Sequence, residues 1–559
     1  MQKLVECVPN FSEGRDRSVI DAITAEISGV EGASLLDVDP GADTNRTVVT
    51  FVGDPDSCVE AAFRAIARAA ELIDMSGHTG AHPRMGATDV CPFVPVSGVT
   101  MEDCAELARR LGERVGRELG IPVYLYGEAA SRPERRSLAD VRAGEYEGMA
   151  KKLQDPTWAP DFGPAKLPVR AGVTGISARE FLIAYNVNLN TRDRKLANEV
   201  ALDIREKGRI KRGADGKFLR DKAGNPIRDD SGLPECRAVG WYIEEYGRAQ
   251  VSINLTNYKV TPPHLAFDTC VERAAKHGLR VTGSELVGLI PLEAMRQAGK
   301  HYLARQGRSA GVPERELIHI AVRSLGLDEI SPFDPEQKII EYRVRDRRGS
   351  LVEKSARAFA DELSTDSPAP GGGSVAALCG ALGAALGSMV ANLTIGKKGL
   401  EESWDALRPV AERGQDLKDR FLDAVDQDTA AFNRVMECLR LPKGTPEERA
   451  SRDAALQEAT RGATLVPFSV LERSLDVLEL AAATADKGNP ASVSDAGVAA
   501  LCAQTCAEGA YLNVCINLQS LEDAAWVAST RARAKELLER ARSEARTIVA
   551  VVEERVSRE

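Results

Sequence analysis

Apolar positions in the first half of the chain switch between two periods. Leu4–Val8 reads as a short strand, after which Val19, Ile20, Ile23, Ile27 and Val30 recur at helical spacing. Ser34–Asp39 and Arg46–Val52 read as two strands separated by the turn-rich PGADTN. Val59, Ala62, Phe63, Ile66, Ala70 and Ile73 line one stripe of a second helix, and Thr88–Val94 closes the set as a strand. The order β-α-β-β-α-β is the split βαβ arrangement of ferredoxin-like units. It returns further along: Phe181–Asn188 predicts a strand, Arg194–Lys207 a helix, Ala238–Ile243 and Gln250–Leu255 strands, Leu265–Lys276 a helix and Leu279–Thr282 a last short strand. NFSEGRDR at Asn10–Arg17 is echoed by NLNTRDR at Asn188–Arg194, as a tandem of related subdomains requires.

Between the second unit's first helix and second strand, KGRIKRGADGKFLRDKAGNPIRDDSGLP carries Asp-Gly and Gly-Asn turns and predicts an exposed hairpin excursion. The charged stretch Asp334–Arg348 contains a possible strand, KIIEYRV, and joins the halves. After about Ser355 strand signals vanish, alanine rises, and helical periodicities run to the end, with Thr530–Arg558 as one long helix. The expected architecture is therefore multidomain: two α/β subdomains of split βαβ type, over 1–178 and 179–333, a linker over 334–354, and an all-α helical bundle over 355–559.

Composition narrows the function classes. At 559 residues the chain is too long for one core, and 43% hydrophobic with 28% charged residues is an ordinary globular balance. A net charge of −10 argues against a nucleic-acid binder, although a local basic site for a small polyanion is compatible with it. Eleven scattered cysteines, odd in number and with no CxxC, argue against a disulfide framework or a zinc site and read as structural thiols. The N-terminus lacks a signal-peptide pattern, so the expected address is the cytoplasm. Ser374–Gly396 is free of charge and long enough to span a bilayer, but its small residues suit a buried bundle helix, and no membrane span is expected.

Three segments carry candidate chemistry. In SGHTGAHPRMGATDVCPFVP, His78 and His82 stand four apart, but Gly77, Gly80 and Pro83 favour a loop feeding the strand at Thr88 over a metal-binding helix. In DSPAPGGGSVAALCGALGAAL, prolines and three glycines lead into a small-residue helix whose first amides favour an anion; without Gly-Lys-Ser/Thr it is not a nucleotide loop. DQDTAAF places Asp426 and Asp428 in a helical stretch.

CVPNFSEGRD, LLDVDPGADTNRTVVTFVG and HTGAHPRMGATDVCPFVP, followed by FLIAYNVNLNT, VGWYIEE and GSELVGLIP, resemble the transferase half of the formimidoyltransferase-cyclodeaminase family. PGGGSVAA, LGSMVANLTIGKKG, the Asp426–Phe432 motif and GNPASVSDAGVAA resemble its cyclodeaminase half and the related methenyltetrahydrofolate cyclohydrolases. The resemblance implies a bifunctional folate enzyme of histidine degradation. It would transfer the formimino group of N-formimino-L-glutamate to tetrahydrofolate, then cyclise the product to 5,10-methenyltetrahydrofolate with loss of ammonia. Its implied partners are these small molecules, polyglutamated tetrahydrofolate serving as co-substrate. No permanently bound cofactor or metal is implied, and a homo-oligomer, an octamer in the family, is.

By the same resemblance His82, of GAHPR, is the base of the transferase. An imidazole with an ordinary pKa near ~6.5 can take the proton lost by the attacking nitrogen and return it to the departing one. Arg46 and Arg84 fit substrate carboxylates, and Asp39 and Asp43 fit the histidine or the pterin; a structural ion pair is the competing reading of each. The folate-contacting stretch maps to AGVTGISARE, with Gly172, Thr174, Gly175, Ser177 and Arg179, where Ser177 replaces an expected glycine. In the second half Asp428, then Asp426, is the expected proton donor to ammonia, and Gly371, Gly372 and Gly373 are the expected folate-binding turn. Asp495 is a further acid, and Lys397 and Lys398 suit the glutamate tail. The close rival keeps the transferase and makes the second half a methenyltetrahydrofolate cyclohydrolase; a folate-binding scaffold whose chemistry has lapsed and, last, a metal hydrolase built on His78 and His82 are the other readings.

Overall fold

Strand parity organises the first half. The computed structural model describes residues 3–42, 45–80, 83–213, 215–222, 224–229, 232–244, 246–344 and 350–557. In it β1 (Leu4–Cys7), β2 (Asn10–Phe11), a helix at Arg17–Ser28, β3 (Ala33–Gly41), β4 (Arg46–Gly53), a helix at Pro55–Leu72 and β5 (Thr88–Ser97) follow the expected order. β1 and β2 share one lane between β4 and β5, antiparallel to both, and β3 lies outside β4. Asp16 and Asp54 start the two helices by accepting amide protons of their first turns.

Two strands that the periodicity does not announce, β6 (Val123–Gly127) and β7 (Thr174–Ala178), extend the sheet beyond β5 by parallel pairing, β7 against β5 and β6 against β7. The AGVTGISARE segment is therefore an interior strand of the first sheet. Val5, Cys7, Phe11, Val49, Phe51, Cys91, Phe93 and Ile176 share one parity and pack under the helices in the main core of this half. The other parity presents Glu6, Asn10, Arg46, Gly175, Ser177 and Tyr126 on the opposite face. Helices at Leu138–Arg142 and Glu145–Lys152 cover part of that face, packing Val141 and Met149 with Tyr124 and Tyr126.

The second sheet repeats the topology: β8 (Ile183–Leu189), a helix at Arg194–Ile204, β9 (Cys236–Ile243), β10 (Arg248–Leu255), a helix at Pro263–Lys276 and β11 (Val281–Val287), ordered β11-β8-β10-β9. Its lanes run fourth, first, third, second, as do β5, β1, β4 and β3. The last strand starts later and runs longer than the predicted Leu279–Thr282. The excursion after the first helix holds single antiparallel bridges, Ile210 to Arg228, Arg212 to Phe218 and Arg220 to Pro226. KIIEYRV is not a strand. Pro335–Lys338 and Ile340–Val344 are short helices, the first capped by Asp334 with Pro335 in its opening turn. The apolar pair that suggested a strand, Ile339 and Ile340, is buried at the corner between them.

The helical half comprises Ala356–Leu363, Gly372–Thr394, Glu401–Leu439, Pro446–Lys487, Val493–Asn517 and Ala524–Val556. The chain divides into two compact units, residues 1–295 with 322–345, and residues 296–321 with 346–559. Residues 296–321 thus belong to the bundle unit, where Asn392 Nδ2 donates to Gly311 O at 2.6 Å and a Cβ on Gly311 would meet the Ala411 carbonyl carbon at 2.4 Å. Gly372–Thr394 is long and apolar enough to cross a membrane, yet 61% of its most apolar stretch is buried inside the unit. Its glycines explain why: Gly380 lies against the Phe421 ring, Gly383 against Val477 and Gly387 against Leu480, contacts that larger residues would push apart. All eleven cysteines are free thiols.

Candidate active sites

In the first half the loop before β5 is pinned at both ends. Asn45, which adopts a left-handed φ of 47° that asparagine tolerates, accepts from Gly14 N at 3.0 Å and donates from Nδ2 to Thr79 O at 3.0 Å. His78 Nε2 lies 3.0 Å from Asn45 O, and Arg84 Nε donates to His78 Nδ1 at 3.3 Å. Both ring nitrogens of His78 are thus engaged, which fixes it as a structural post and leaves no lone pair for a metal. Arg84 also donates to His78 O at 3.1 Å and pairs with Glu147 at 2.6 Å and Glu145 at 3.1 Å. His82 and Asp43 lie outside the described residues. The geometry around them shows a loop whose flanks, Thr79 and Arg84, are held from two sides.

Beside this loop the polar face of the sheet carries Arg46, whose Nη2 donates to the buried Asn10 Oδ1. Its Nε is buried without a hydrogen-bond partner, and burial pulls the guanidinium pKa down. Asp89, 0% exposed, accepts from Met85 N at 2.9 Å and from Arg142 Nη2 at 2.7 Å. Desolvation raises its carboxyl pKa against the pull of Arg142 and Arg46. Arg142, Asn45, Glu145 and Glu147 were not found by sequence reasoning; all but Asn45, which lies in the LLDVDPGADTNRTVVTFVG stretch, stand where there is no motif, and only tertiary contact reveals their roles.

The structure sorts the other expected residues. Asp39 sits exposed on β3, near enough to Arg46 for its charge to be felt there. On β7, Gly175 and Ser177 share the polar face, but Thr174, 1% exposed, has the opposite parity and lies on the helix-covered side, away from the face a folate would meet. Gly172 has φ +69°, and a Cβ there would come 2.4 Å from Met85 O. The close approach expected to serve a flat ligand is filled by the chain's own Met85–Gly86 backbone. Arg179, half-buried just after β7, donates to Glu180 O at 3.0 Å and its charge reaches the buried Glu6.

In the helical half, helical period separates the two candidate acids, since residues two apart point to different sides. Asp426 accepts from Leu351 N and from Ser350 Oγ, both at 2.7 Å, and so ties an incoming segment to the helix. Asp428 faces the first turn of Gly372–Thr394 and accepts from Ser374 Oγ at 3.0 Å. A Cβ on Gly373 would lie 2.2 Å from Asp428 Oδ1, so only glycine lets the carboxyl sit there, while a Cβ on Gly371 or Gly372 would make ordinary contacts, with Pro368 O at 3.8 Å and Asn513 Nδ2 at 3.5 Å. Burial raises the Asp428 pKa, against the hydrogen bonds from Ser374 that lower it. Asp428 and the first turn that Gly371, Gly372 and Gly373 lead into, remote in sequence, are thus brought together: a carboxyl with a raised pKa beside a helix N-terminus. Asp495 is excluded from it. It begins the helix whose first turn adjoins Asn489, which bonds Thr394 at the far end of Gly372–Thr394, some ~30 Å away by helical rise. Lys397, bonded to Asn489 at 2.8 Å, is at that far end too.

Comparison with known proteins covers the chain in three pieces. Residues 4–179 match the family described as formiminotransferase domain, N-terminal subdomain, residues 184–345 the formiminotransferase domain, and residues 355–536 formiminotransferase-cyclodeaminase. The chain is 44% identical over 557 residues, 99% of itself and 100% of the relative, to formimidoyltransferase-cyclodeaminase of Mus musculus. Over 54% of its length it is 43% identical to glutamate formimidoyltransferase of Streptococcus pyogenes, covering 94% of that protein. Over 31% of its length it is 43% identical to methenyltetrahydrofolate cyclohydrolase of Methylorubrum extorquens, covering 83% of that protein.

Proposed function

The chain belongs to the formimidoyltransferase-cyclodeaminase family, and from that premise we propose how its residues carry out two consecutive steps on one folate. It is a glutamate formimidoyltransferase and a formimidoyltetrahydrofolate cyclodeaminase. What carries this reading is the match over the whole length to a two-activity enzyme, with a single-activity transferase matching one half.

In the transfer, nitrogen 5 of tetrahydrofolate attacks the amidine carbon of formiminoglutamate, and the bond from that carbon to the glutamate nitrogen breaks. His82 takes the proton from nitrogen 5 and returns it to the departing glutamate nitrogen, help worth roughly 10²–10⁴ in rate. Support for this role is the tethering of its loop by Asn45 and Arg84. In the second step nitrogen 10 attacks the formimino carbon, its proton passes to the formimino nitrogen, the ring closes, and the carbon–nitrogen bond to the leaving group breaks. Asp428 gives that nitrogen the proton it needs to leave as ammonia. A carboxyl whose pKa burial raises holds its proton more tightly than an exposed one, which suits that task. Asp426 is assigned a structural role, and Gly371, Gly372 and Gly373 a folate-binding one.

The polyglutamated form of tetrahydrofolate, a place in histidine breakdown, a cytoplasmic address, assembly as a homo-oligomer such as an octamer, and function without a permanently bound cofactor belong to the same proposal. The test is to mix enzyme with formiminoglutamate and tetrahydrofolate, and follow ammonia and methenyltetrahydrofolate absorbance for wild type, His82→Ala and Asp428→Ala. The expected result is no transfer in the first variant and accumulated formiminotetrahydrofolate in the second. Normal transfer by His82→Ala would remove the histidine from its role. Formiminotetrahydrofolate that accumulates in wild type with no release of ammonia would reassign the helical half as a cyclohydrolase.

A further inference from the structure

We propose that Arg142 and Arg46 together bind a carboxylate of the formimino donor, and that Arg84, the other arginine of this region, does not. The inference rests on the transferase reading and names the specificity-determining pair of its site. Arg84 is saturated: two glutamates, a histidine ring and a carbonyl take its donors. Arg46 has no carboxylate within ion-pair range among the described residues, and Arg142 has one, Asp89. The Nε of each is buried without a partner. Asp89 is already shared between Arg142 and the Met85 amide, and the charge of Arg142 is felt by Arg46. Two partly buried guanidiniums therefore stand with a single buried acid, an arrangement that leaves one positive charge for an incoming anion.

Both substrates bear carboxylates, so position decides between them. Arg46 follows Asn45, which holds Thr79, and Asp89, which accepts from Arg142, holds Met85, so the pair is tied to described residues on both sides of His82 in the sequence. The α-carboxylate of formiminoglutamate is attached to the very carbon that bears the reacting nitrogen. The folate carboxylates lie beyond an aminobenzoyl ring. A guanidinium pair tied to the residues on either side of the motif histidine in sequence is assigned to the donor's carboxylate rather than to the folate tail.

The experiment measures steady-state transfer by the full-length enzyme for wild type, Arg142→Lys, Arg142→Gln and Arg46→Gln. Each is run with formiminoglutamate, with its α-carboxamide analogue, and with tetrahydrofolate or tetrahydropteroate as acceptor. Cyclisation of added formiminotetrahydrofolate by the same samples reports that the chain is folded. Arg46→Gln leaves no buried acid unpaired, so it stands if Arg142 variants unfold. The expected outcome is a rise in KM for formiminoglutamate on the order of 10- to 100-fold, the loss of one charge-assisted pair. The KM for the acceptors stays unchanged, and the preference for acid over amide collapses toward unity. Unchanged discrimination in Arg46→Gln overturns the proposal, as does a KM rise for tetrahydrofolate that is absent with tetrahydropteroate, which would assign the pair to the folate tail. A wild type silent with both donors would instead sink the transferase reading itself.

Discussion

Glu6 offers a quantitative test of how the polar sheet face is built. It lies on β1, 4% exposed, and burial lifts its carboxyl pKa from 4.5 to about 7; Arg179 pulls it down and Glu341 pushes it further up. Below pH 4.5 the group is neutral whether the chain is folded or not, and it contributes no pH dependence. Between 4.5 and about 7 the unfolded chain releases its proton while the folded chain keeps it, so stability falls as pH rises. Above that range both states are ionised and the loss is complete. Over that interval, at ~1.4 kcal/mol per pH unit, the cost comes to roughly 3 kcal/mol. Glu6→Gln keeps the shape and removes the titration. The variant should match wild type near pH 4.5 and exceed it by roughly 3 kcal/mol at pH 8. Because the chain has two compact units, a single global midpoint is ill-defined. The assay is native-state hydrogen exchange of peptides from β1, β4 and β5 between pH 5 and 8. A wild-type minus variant difference that stays flat, or that favours wild type as pH rises, refutes the reasoning.

Gly373→Ala forces the Asp428 carboxyl out of its seat, since the added Cβ would lie 2.2 Å from Oδ1. Cyclisation should fall by about 10² or more while transfer stays at the wild-type rate, as read by formiminotetrahydrofolate accumulating in the coupled assay. Ser374→Ala removes a donor that favours the ionised Asp428, so the pKa rises further and the alkaline limb of the cyclisation pH profile moves to higher pH. Asp426→Ala unties Leu351 and Ser350, and should lower the stability of the helical unit by about 2 kcal/mol in hydrogen exchange without moving that profile. Arg84→Gln releases the loop from His78 and Glu147, and transfer should drop on the order of tenfold with cyclisation intact, alongside faster exchange at Thr79 and Gly80.

The tandem split βαβ plan was legible because β3, β4 and the helices have a more buried and a more exposed side, and so show the two periods. β6 and β7 were not. VYLYG at the sheet edge and TGISA beside it are short strands whose residues are nearly all buried, so they show no alternation to read. Missing β7 also hid its parity, and without parity Thr174 and Ser177 look equivalent although they face opposite sides. In KIIEYRV the apolar pair was real but its cause was misread, because a two-residue buried corner and a short strand make the same local pattern. The division between Asp426 and Asp428 was available from helical period alone, whereas the partner each acid meets depends on contacts far away in sequence.

Hydrogen-bond capacity then separates scaffold from chemistry among residues of one type. His78, Arg84 and Asp426 are all conspicuous in sequence, and each is engaged by the protein itself: both nitrogens of the imidazole, the fork of the guanidinium, both oxygens of the carboxylate. Arg46 and Asp428 differ in that they are partly buried yet keep capacity in hand, the one with an idle Nε, the other with Ser374 alone as its hydrogen-bond partner among the described residues. A group desolvated without full compensation costs stability in the empty protein. That cost is returned when a substrate atom of the right charge completes the set. The criterion selects Arg142 on the same grounds, which is why an arginine with no motif around it is placed with the functional residues and Arg84, inside the motif, is not.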